Sequence, residues 1–151
     1  MSRQRSLLSL ILVFLATLLI SCGGPSVSVA PPTYTTDQLT KIQVYVPEIQ
    51  AVRDRSEELK NLIQQKDWIN VDNFIHGPIT EARLNINYVI PNLLPKQQSA
   101  ARQIARDFFN HLVKIDQAAT SGNTQLALNN SQAAVADIDK FLDLLPETSA
   151  S

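Results

Sequence analysis

Two acid-histidine pairs have the spacing to hold a metal ion. Asp72 with His76, and Asp107 with His111, are each four residues apart, so on a helix both members of a pair lie on one face. Carboxylate and imidazole groups suit zinc or another divalent ion, with a further ligand from a neighbouring helix or from water. Solvated surface pairs are the commoner arrangement. A di-metal bundle site also needs four carboxylates and Glu-x-x-His units, which the sequence lacks, so any ion is predicted to be peripheral and no cofactor to be required.

Motifs for enzymatic catalysis are missing from the sequence. There is no serine-nucleophile motif, no pair of cysteines and no glycine-rich phosphate loop, and Gly77 and Gly122 are the only glycines after position 24. The sequence therefore predicts a protein that is not an enzyme.

Cys22 is the single cysteine, and it follows a segment typical of an export signal. Arg3 and Arg5 precede an uncharged, mostly apolar run over 7–20 that is too short for a transmembrane helix of roughly 20 residues. The run ends in Leu-Ile-Ser-Cys, which resembles the bacterial lipobox, where the thiol takes a diacylglyceryl group and cleavage falls before the cysteine. We therefore expect a lipoprotein signal peptide over 1–21 and a stable lipid anchor on Cys22.

The charge balance argues against nucleic acid as a partner. The chain has 13 basic and 14 acidic residues, and loss of Arg3 and Arg5 with the leader leaves 11 against 14, whereas neutralising phosphates needs a basic excess. Basic residues do gather on the predicted third helix and its approach: Arg83, Lys96, Arg102, Arg106 and Lys114. Arg102 and Arg106 share a helix face, which indicates either a docking surface for acidic protein loops or lipid head groups, or a simple solvated face.

One helical domain follows a linker. Residues 22–36 are rich in Pro, Ser, Gly and Val and carry no charge, which is typical of a flexible or extended linker. Residues 37–146 are helix-forming and show no useful period-2 alternation, and 147–151 form a polar tail.

Apolar residues at spacings of three and four predict four long helices with short connections, hence an all-α, up-down-up-down four-helix bundle. The first runs from Asp37 to Lys66, capped by Thr36 or Asp37, with a kink or a late start at Pro47. The others run from Asp67 to Leu93 with a bend at Gly77 and Pro78, from Pro95 to Gly122, and from a cap at Asn123 or Thr124 to Leu145.

Aromatic residues at helical spacing are predicted to lie in the core of this bundle, although they could instead line a ligand cavity. They are Trp68, Tyr88, Phe108, Phe109 and Phe141. The rival fold is a pair of tetratricopeptide-like hairpins, suggested by Trp68, Gly122 and Pro146, but no repeat of about 34 residues is evident.

Several features together resemble the PsbQ family, the extrinsic subunits of photosystem II, in its cyanobacterial lipoprotein form. They are the leader with Cys22, the Pro-rich linker, the segment Gln65–Trp68, the Leu93–Pro95 turn before an Arg-bearing helix, and the Gly122–Thr124 turn. The resemblance implies a non-catalytic lumenal subunit that stabilises the water-oxidising centre and its calcium and chloride requirement, with the manganese ligands on the core subunits.

The partners implied by the resemblance are the photosystem II core, the other extrinsic subunits, and the membrane through the N-terminal lipid. The implied location is the lumenal side of the thylakoid membrane. Because the same leader also serves the periplasmic face of the plasma membrane, a periplasmic metal- or ligand-binding helical lipoprotein is the alternative.

Overall fold

Six α-helices and one 3-10 turn make up the part of the chain that the computed structural model describes, residues 32–147. They are α1 Thr36–Asp54, α2 Ser56–Gln64, α3 Trp68–His76, α4 Pro78–Val89, the 3-10 turn Ile90–Asn92, α5 Pro95–Thr120 and α6 Thr124–Asp143. The predicted leader (1–21), Cys22 and most of the tail lie outside the described residues.

The start of α1 is fixed by a reciprocal cap. The Thr35 hydroxyl accepts a hydrogen bond from the Gln38 N–H at 3.2 Å, and the Gln38 side chain accepts one from the Thr35 N–H at 3.0 Å. Thr35 is therefore the cap, one residue before the predicted Thr36 and two before the predicted Asp37, because only Thr35 has a glutamine three positions ahead. The predicted late start at Pro47 is wrong, since α1 runs through this proline.

The first predicted helix is instead interrupted at Arg55. The backbone N–H of Arg55 donates hydrogen bonds to the carbonyls of both Ala51 and Val52. The helix α1 ends here and α2 begins, without a proline or glycine. Lys66 then takes a left-handed conformation with φ 58° in the turn to α3. Glycine takes this conformation without the cost that lysine bears. Because lysine stands here, the sequence contains no glycine that would mark the turn.

The predicted bend in the second helix lies at Gly77 and Pro78, between α3 and α4. A Cβ at position 77 would lie 2.8 Å from the Asn73 carbonyl oxygen, so only glycine fits there. Pro78 begins α4 at a position where its missing N–H leaves no intrahelical hydrogen bond unmade.

Local residues also set the ends of α5 and α6. Gly122, with φ 67°, follows α5 as predicted. The Asn123 side chain accepts the Leu126 N–H at 3.0 Å and caps α6.

Four helical segments pack as the predicted up-down-up-down bundle. Segment 1 is α1 with α2, segment 2 is α3 with α4, segment 3 is α5, and segment 4 is α6. α1 lies along α4, α3 against α5, α5 along α6, and α2 against α6, so each segment contacts two neighbours. The tetratricopeptide alternative is wrong, because α5 is a single helix of 26 residues packed in this ring.

The apolar stripe of segment 2 stays in register across the bend, as predicted. Its buried members include Val71, Ile79, Ile86 and Leu93. Phe108 and Phe141 are core residues, Trp68 and Phe109 are partly buried at the edge of the core, and Tyr88 is 52% exposed. The core prediction is thus wrong for Tyr88, which stacks on Tyr45 at the outer seam of α1 and α4 with ring centroids 5.1 Å apart.

Tyr34 fastens the start of the domain to one end of the bundle. Its hydroxyl donates to Gln97 Oε1 and accepts from the Leu94 N–H, while Gln97 Nε2 donates to the Leu144 carbonyl at 2.8 Å. These bonds join the N-terminal segment, α5 and the end of α6.

Candidate functional site

A groove between segment 2 and α5 contains many of the side chains that could bind a metal ion or a partner. We call it the α5 groove, and it is lined by Ile69, Asp72, His76, Arg83, Phe109, Val113 and Asp116. Because segment 2 and α5 pack side by side, their outward residues converge along its length. One end of the groove is acidic and the other is basic.

The acidic end has three potential metal ligands. His76 Nε2 lies 3.4 Å from Asp72 Oδ1 and 3.8 Å from Asp116 Oδ1, and all three ligand atoms are within 4.8 Å of one another. Two ligand atoms about 2.1 Å from a tetrahedral zinc ion lie about 3.4 Å apart, so this spacing suits such an ion. Asp72 and His76 were predicted from the sequence, whereas Asp116 is supplied by the neighbouring helix.

The other predicted pair serves a different contact. His111 Nδ1 lies 2.8 Å from Asp137 Oδ2 on α6, and Lys140 Nζ donates to the second oxygen of Asp137 at 3.0 Å. Asp107 instead accepts a hydrogen bond from Gln103. Because the Asp137 side chain is 5% exposed and that of His111 24%, this arrangement favours a structural link between α5 and α6 over a metal site.

The basic end of the groove is arranged by uncharged neighbours. The guanidinium of Arg83 lies over the ring of Phe109, 4.7 Å from its centroid. Arg102 donates to Gln98, and Arg106 donates to Gln103. Aromatic rings and amides orient a guanidinium without cancelling its charge.

Within residues 32–147, the predicted docking residues Arg83, Lys96, Arg102 and Arg106 form no salt bridge, and neither do Lys114 and Lys66. The other basic side chains there are all paired with carboxylates, namely Lys41, Arg53, Arg55, Lys60 and Lys140. The paired residues belong to segments 1 and 4, and all the predicted docking residues to the side formed by segment 2 and α5, with Lys96 near the start of α5.

Two of the pairs on segments 1 and 4 also shift the pKa of their members. Arg55 forms a two-pronged hydrogen bond to Glu58, with N···O distances of 2.8 and 3.0 Å, which lowers the pKa of Glu58 from its ordinary value. The hydrogen bond to Asp139 likewise raises the pKa of Arg53. Both shifts favour the charged forms.

The sequence matches the family model for PsbQ, oxygen evolving enhancer protein 3, over residues 1–146. The chain belongs to the PsbQ family. It is also similar to CyanoQ of Synechocystis sp. (strain ATCC 27184 / PCC 6803 / Kazusa), with 43% identity over 150 residues that cover 99% of this chain and all of the relative. The resemblance to PsbQ predicted from the sequence is thus confirmed.

Membership of the PsbQ family makes this chain an oxygen-evolving enhancer subunit associated with photosystem II, and no enzyme family is indicated. Within residues 32–147, no helix has both the length and the apolar character needed to cross a membrane.

Two contacts of the predicted site residues depend on helix packing and cannot be read from the spacing along one helix: Asp116 beside His76, and Asp137 beside His111. Asp116 is 40 residues from His76 in the sequence, and Asp137 is 26 residues from His111. The apolar stripe of α5 was the one available signal. It places Asp116 next to the buried Ile115, near the edge facing a neighbouring helix.

Proposed function

We propose that this chain is a non-catalytic extrinsic subunit on the lumenal side of photosystem II that stabilises the oxygen-evolving centre and its retention of calcium and chloride. The observation that carries the proposal is the PsbQ family match over residues 1–146, which includes the leader and the whole bundle. The described body suits a docking role, because its helices pack around one apolar core, and Arg83, Arg102 and Arg106, which form no salt bridge in residues 32–147, lie together on the side formed by segment 2 and α5.

Lipid on Cys22 is the proposed means of holding this body at the membrane. Several acyl chains give stable anchoring where one chain gives only marginal binding. The linker from Cys22 to Tyr34 contains 12 peptide links and spans at most about 40 Å. The domain therefore stays near the membrane surface, where a large membrane complex presents its lumenal face.

The proposal is tested in a photosynthetic strain from which the gene has been deleted. We expect oxygen evolution to fall most in medium depleted of calcium and chloride, and the wild-type gene to restore it. A Cys22→Ala variant is expected to restore it less well and to wash off membranes more easily. Equal growth and oxygen evolution with and without the gene in depleted medium would refute the stabilising role, and a Cys22 found unmodified by mass spectrometry would refute the anchor.

A second candidate function is binding of a divalent ion, zinc above all, at Asp72, His76 and Asp116. The three converging ligand atoms favour it. Calorimetric titration with zinc is expected to show one site whose affinity falls at least tenfold in His76→Ala and in Asp116→Asn. His111→Gln is the matched control, because it removes the other histidine and leaves this cluster intact, and equal zinc affinity in all four proteins would exclude the site.

A further inference from the structure

We propose that the α5 groove and the arginines beside it dock on an acidic protein surface of the photosystem II assembly, in an orientation set by the opposite charges of the two groove ends. The proposal rests on the proposed function, which supplies the complex, and it adds the face, the chemistry of the partner and the direction of docking.

The first support is the location of the free positive charge. Arg83, Arg102 and Arg106 form no salt bridge in residues 32–147, and their contacts are an aromatic ring and two glutamines. Arg102, Arg106 and Phe109 follow one another by one helical turn each, so the three arginines lie close together. Their charge is left for an acidic partner.

The second support is an apolar middle next to this charge. Phe109 and Val113 line the groove, and Val113 is 54% exposed. Protein interfaces are enriched in arginine and aromatic residues around a dehydrated centre. An arginine already held over a ring loses less side-chain freedom when it pairs with a carboxylate, which strengthens binding.

The third support is the change of charge along the groove. Arg106 and Asp116 are ten residues apart on α5, about 15 Å along the helix axis. A partner aligned in one direction places its carboxylates at the arginines and a basic side chain at Asp72 and Asp116. The reversed partner meets like charges at both ends, which penalises the wrong orientation.

The same acidic end argues for a protein partner over a membrane surface. Asp72 and Asp116 flank the groove, and Asp107 is near Arg106 on α5. Anionic lipid head groups would be repelled by these carboxylates, whereas a protein surface can present both signs of charge at fixed positions.

The test measures binding of the full-length, lipidated protein to photosystem II core complexes purified from cells that lack this subunit. The double variant Arg83→Glu/Arg106→Glu is compared with Lys41→Glu/Lys60→Glu, which makes the same change of net charge on segment 1. We expect the groove variant to bind at least tenfold more weakly at low salt, because close charge pairs at interfaces are worth that much or more. The segment 1 variant is expected to bind like the wild type.

Three results would overturn the proposal. The first is that the groove and segment 1 variants bind equally well, and the second is that the groove variant still binds the core but no longer binds phosphatidylglycerol vesicles. The third is that circular dichroism shows the groove variant to be unfolded, while the neutral variant Arg83→Gln/Arg106→Gln folds and binds normally. Failure of the wild type to bind the core complexes would refute the proposed function as well, so the two failures are distinct.

The orientation has its own test in Asp116→Lys. We expect this variant to bind several-fold more weakly, because a basic side chain of the partner then meets a like charge. Tighter binding would mean that the groove meets a uniformly acidic surface, and it would overturn the proposed orientation.

Discussion

The two sides of the bundle use their charged residues differently. On segments 1 and 4, Arg53 bonds to Asp139 and Arg55 to Glu58. On the side formed by segment 2 and α5, Arg83, Arg102 and Arg106 form no salt bridge in the described part of the chain, and they contact a phenylalanine ring and two glutamines. Both sides are helical, so they differ in the neighbours of their basic side chains and not in their secondary structure.

Exposed salt bridges contribute little to stability, so the exposed pairs on segments 1 and 4, such as Arg53 with Asp139 and Arg55 with Glu58, are not needed to hold the fold together. Their clearer effect is to neutralise that surface, which lowers its attraction for acidic partners. The paired basic residues of segments 1 and 4 therefore act within the fold, whereas the arginines beside the α5 groove are left for binding. Changes on the two sides should therefore separate stability from docking.

The largest effect is expected for Asp137→Ala on α6. Asp137 is nearly buried and joins His111 on α5 to Lys140. Removing its carboxylate breaks two charge-assisted bonds in a poorly solvated place and should lower the free energy of unfolding by about 3 kcal/mol. Urea denaturation followed by circular dichroism measures the loss.

The matched control for this prediction is Asp139→Ala, which removes an exposed carboxylate from the same helix. It should lower stability far less. Both variants are expected to bind photosystem II core complexes normally wherever they are folded. A similar loss of stability in both would show that burial does not distinguish these two acids.

The sequence predicts the fold well where local residues decide it. Gly77 with Pro78 and Gly122 restrict the backbone through their own geometry, so their turns were predictable. The interruption at Arg55 and the left-handed Lys66 have no such residue. Because arginine and lysine do not restrict the backbone as glycine and proline do, no residue type in the sequence marks these two positions.

The candidate site was only half predictable for the same reason. The spacing of Asp72 and His76 is a property of one helix, and it placed them together correctly. The partnership of Asp116 with His76 depends on how α3 and α5 are aligned, which a single sequence does not specify. Arg83 and Phe109 likewise meet only after the helices pack.

A medium effect is expected for Phe109→Leu, which removes the ring beneath Arg83 while keeping an apolar side chain. A cation–π contact at a partly exposed site is worth about 0.5–1 kcal/mol, so the affinity for core complexes should fall about twofold to fivefold. Titration of core complexes with labelled protein measures this change.

Phe74→Leu is the matched control, because Arg55 lies over the ring of Phe74 at 4.8 Å but is already paired with Glu58. Phe74 is the more buried of the two rings, so its replacement should lower stability more and leave docking unchanged. The opposite pattern would argue that ring-bound arginines on both sides of the molecule contribute to binding.

The smallest effect is expected for Glu58→Gln, and it should depend on pH. The hydrogen bond from Arg55 lowers the pKa of Glu58 below its ordinary value of 4.5. A group whose pKa is lower in the folded state adds stability above its unfolded pKa and loses that stability as the pH falls through its folded pKa. The wild type should therefore be slightly more stable than Glu58→Gln at pH 7, and the difference should shrink below pH 4.5. Urea midpoints of both proteins at pH 7 and pH 3 measure it, with Glu48→Gln as a charge-matched control, because Glu48 forms no salt bridge in the described residues. If the stability difference between the two proteins grows on acidification, the pairing of Arg55 with Glu58 is contradicted. Docking of Glu58→Gln at pH 7 should be unchanged, because the charge of Glu58 is already neutralised within the fold.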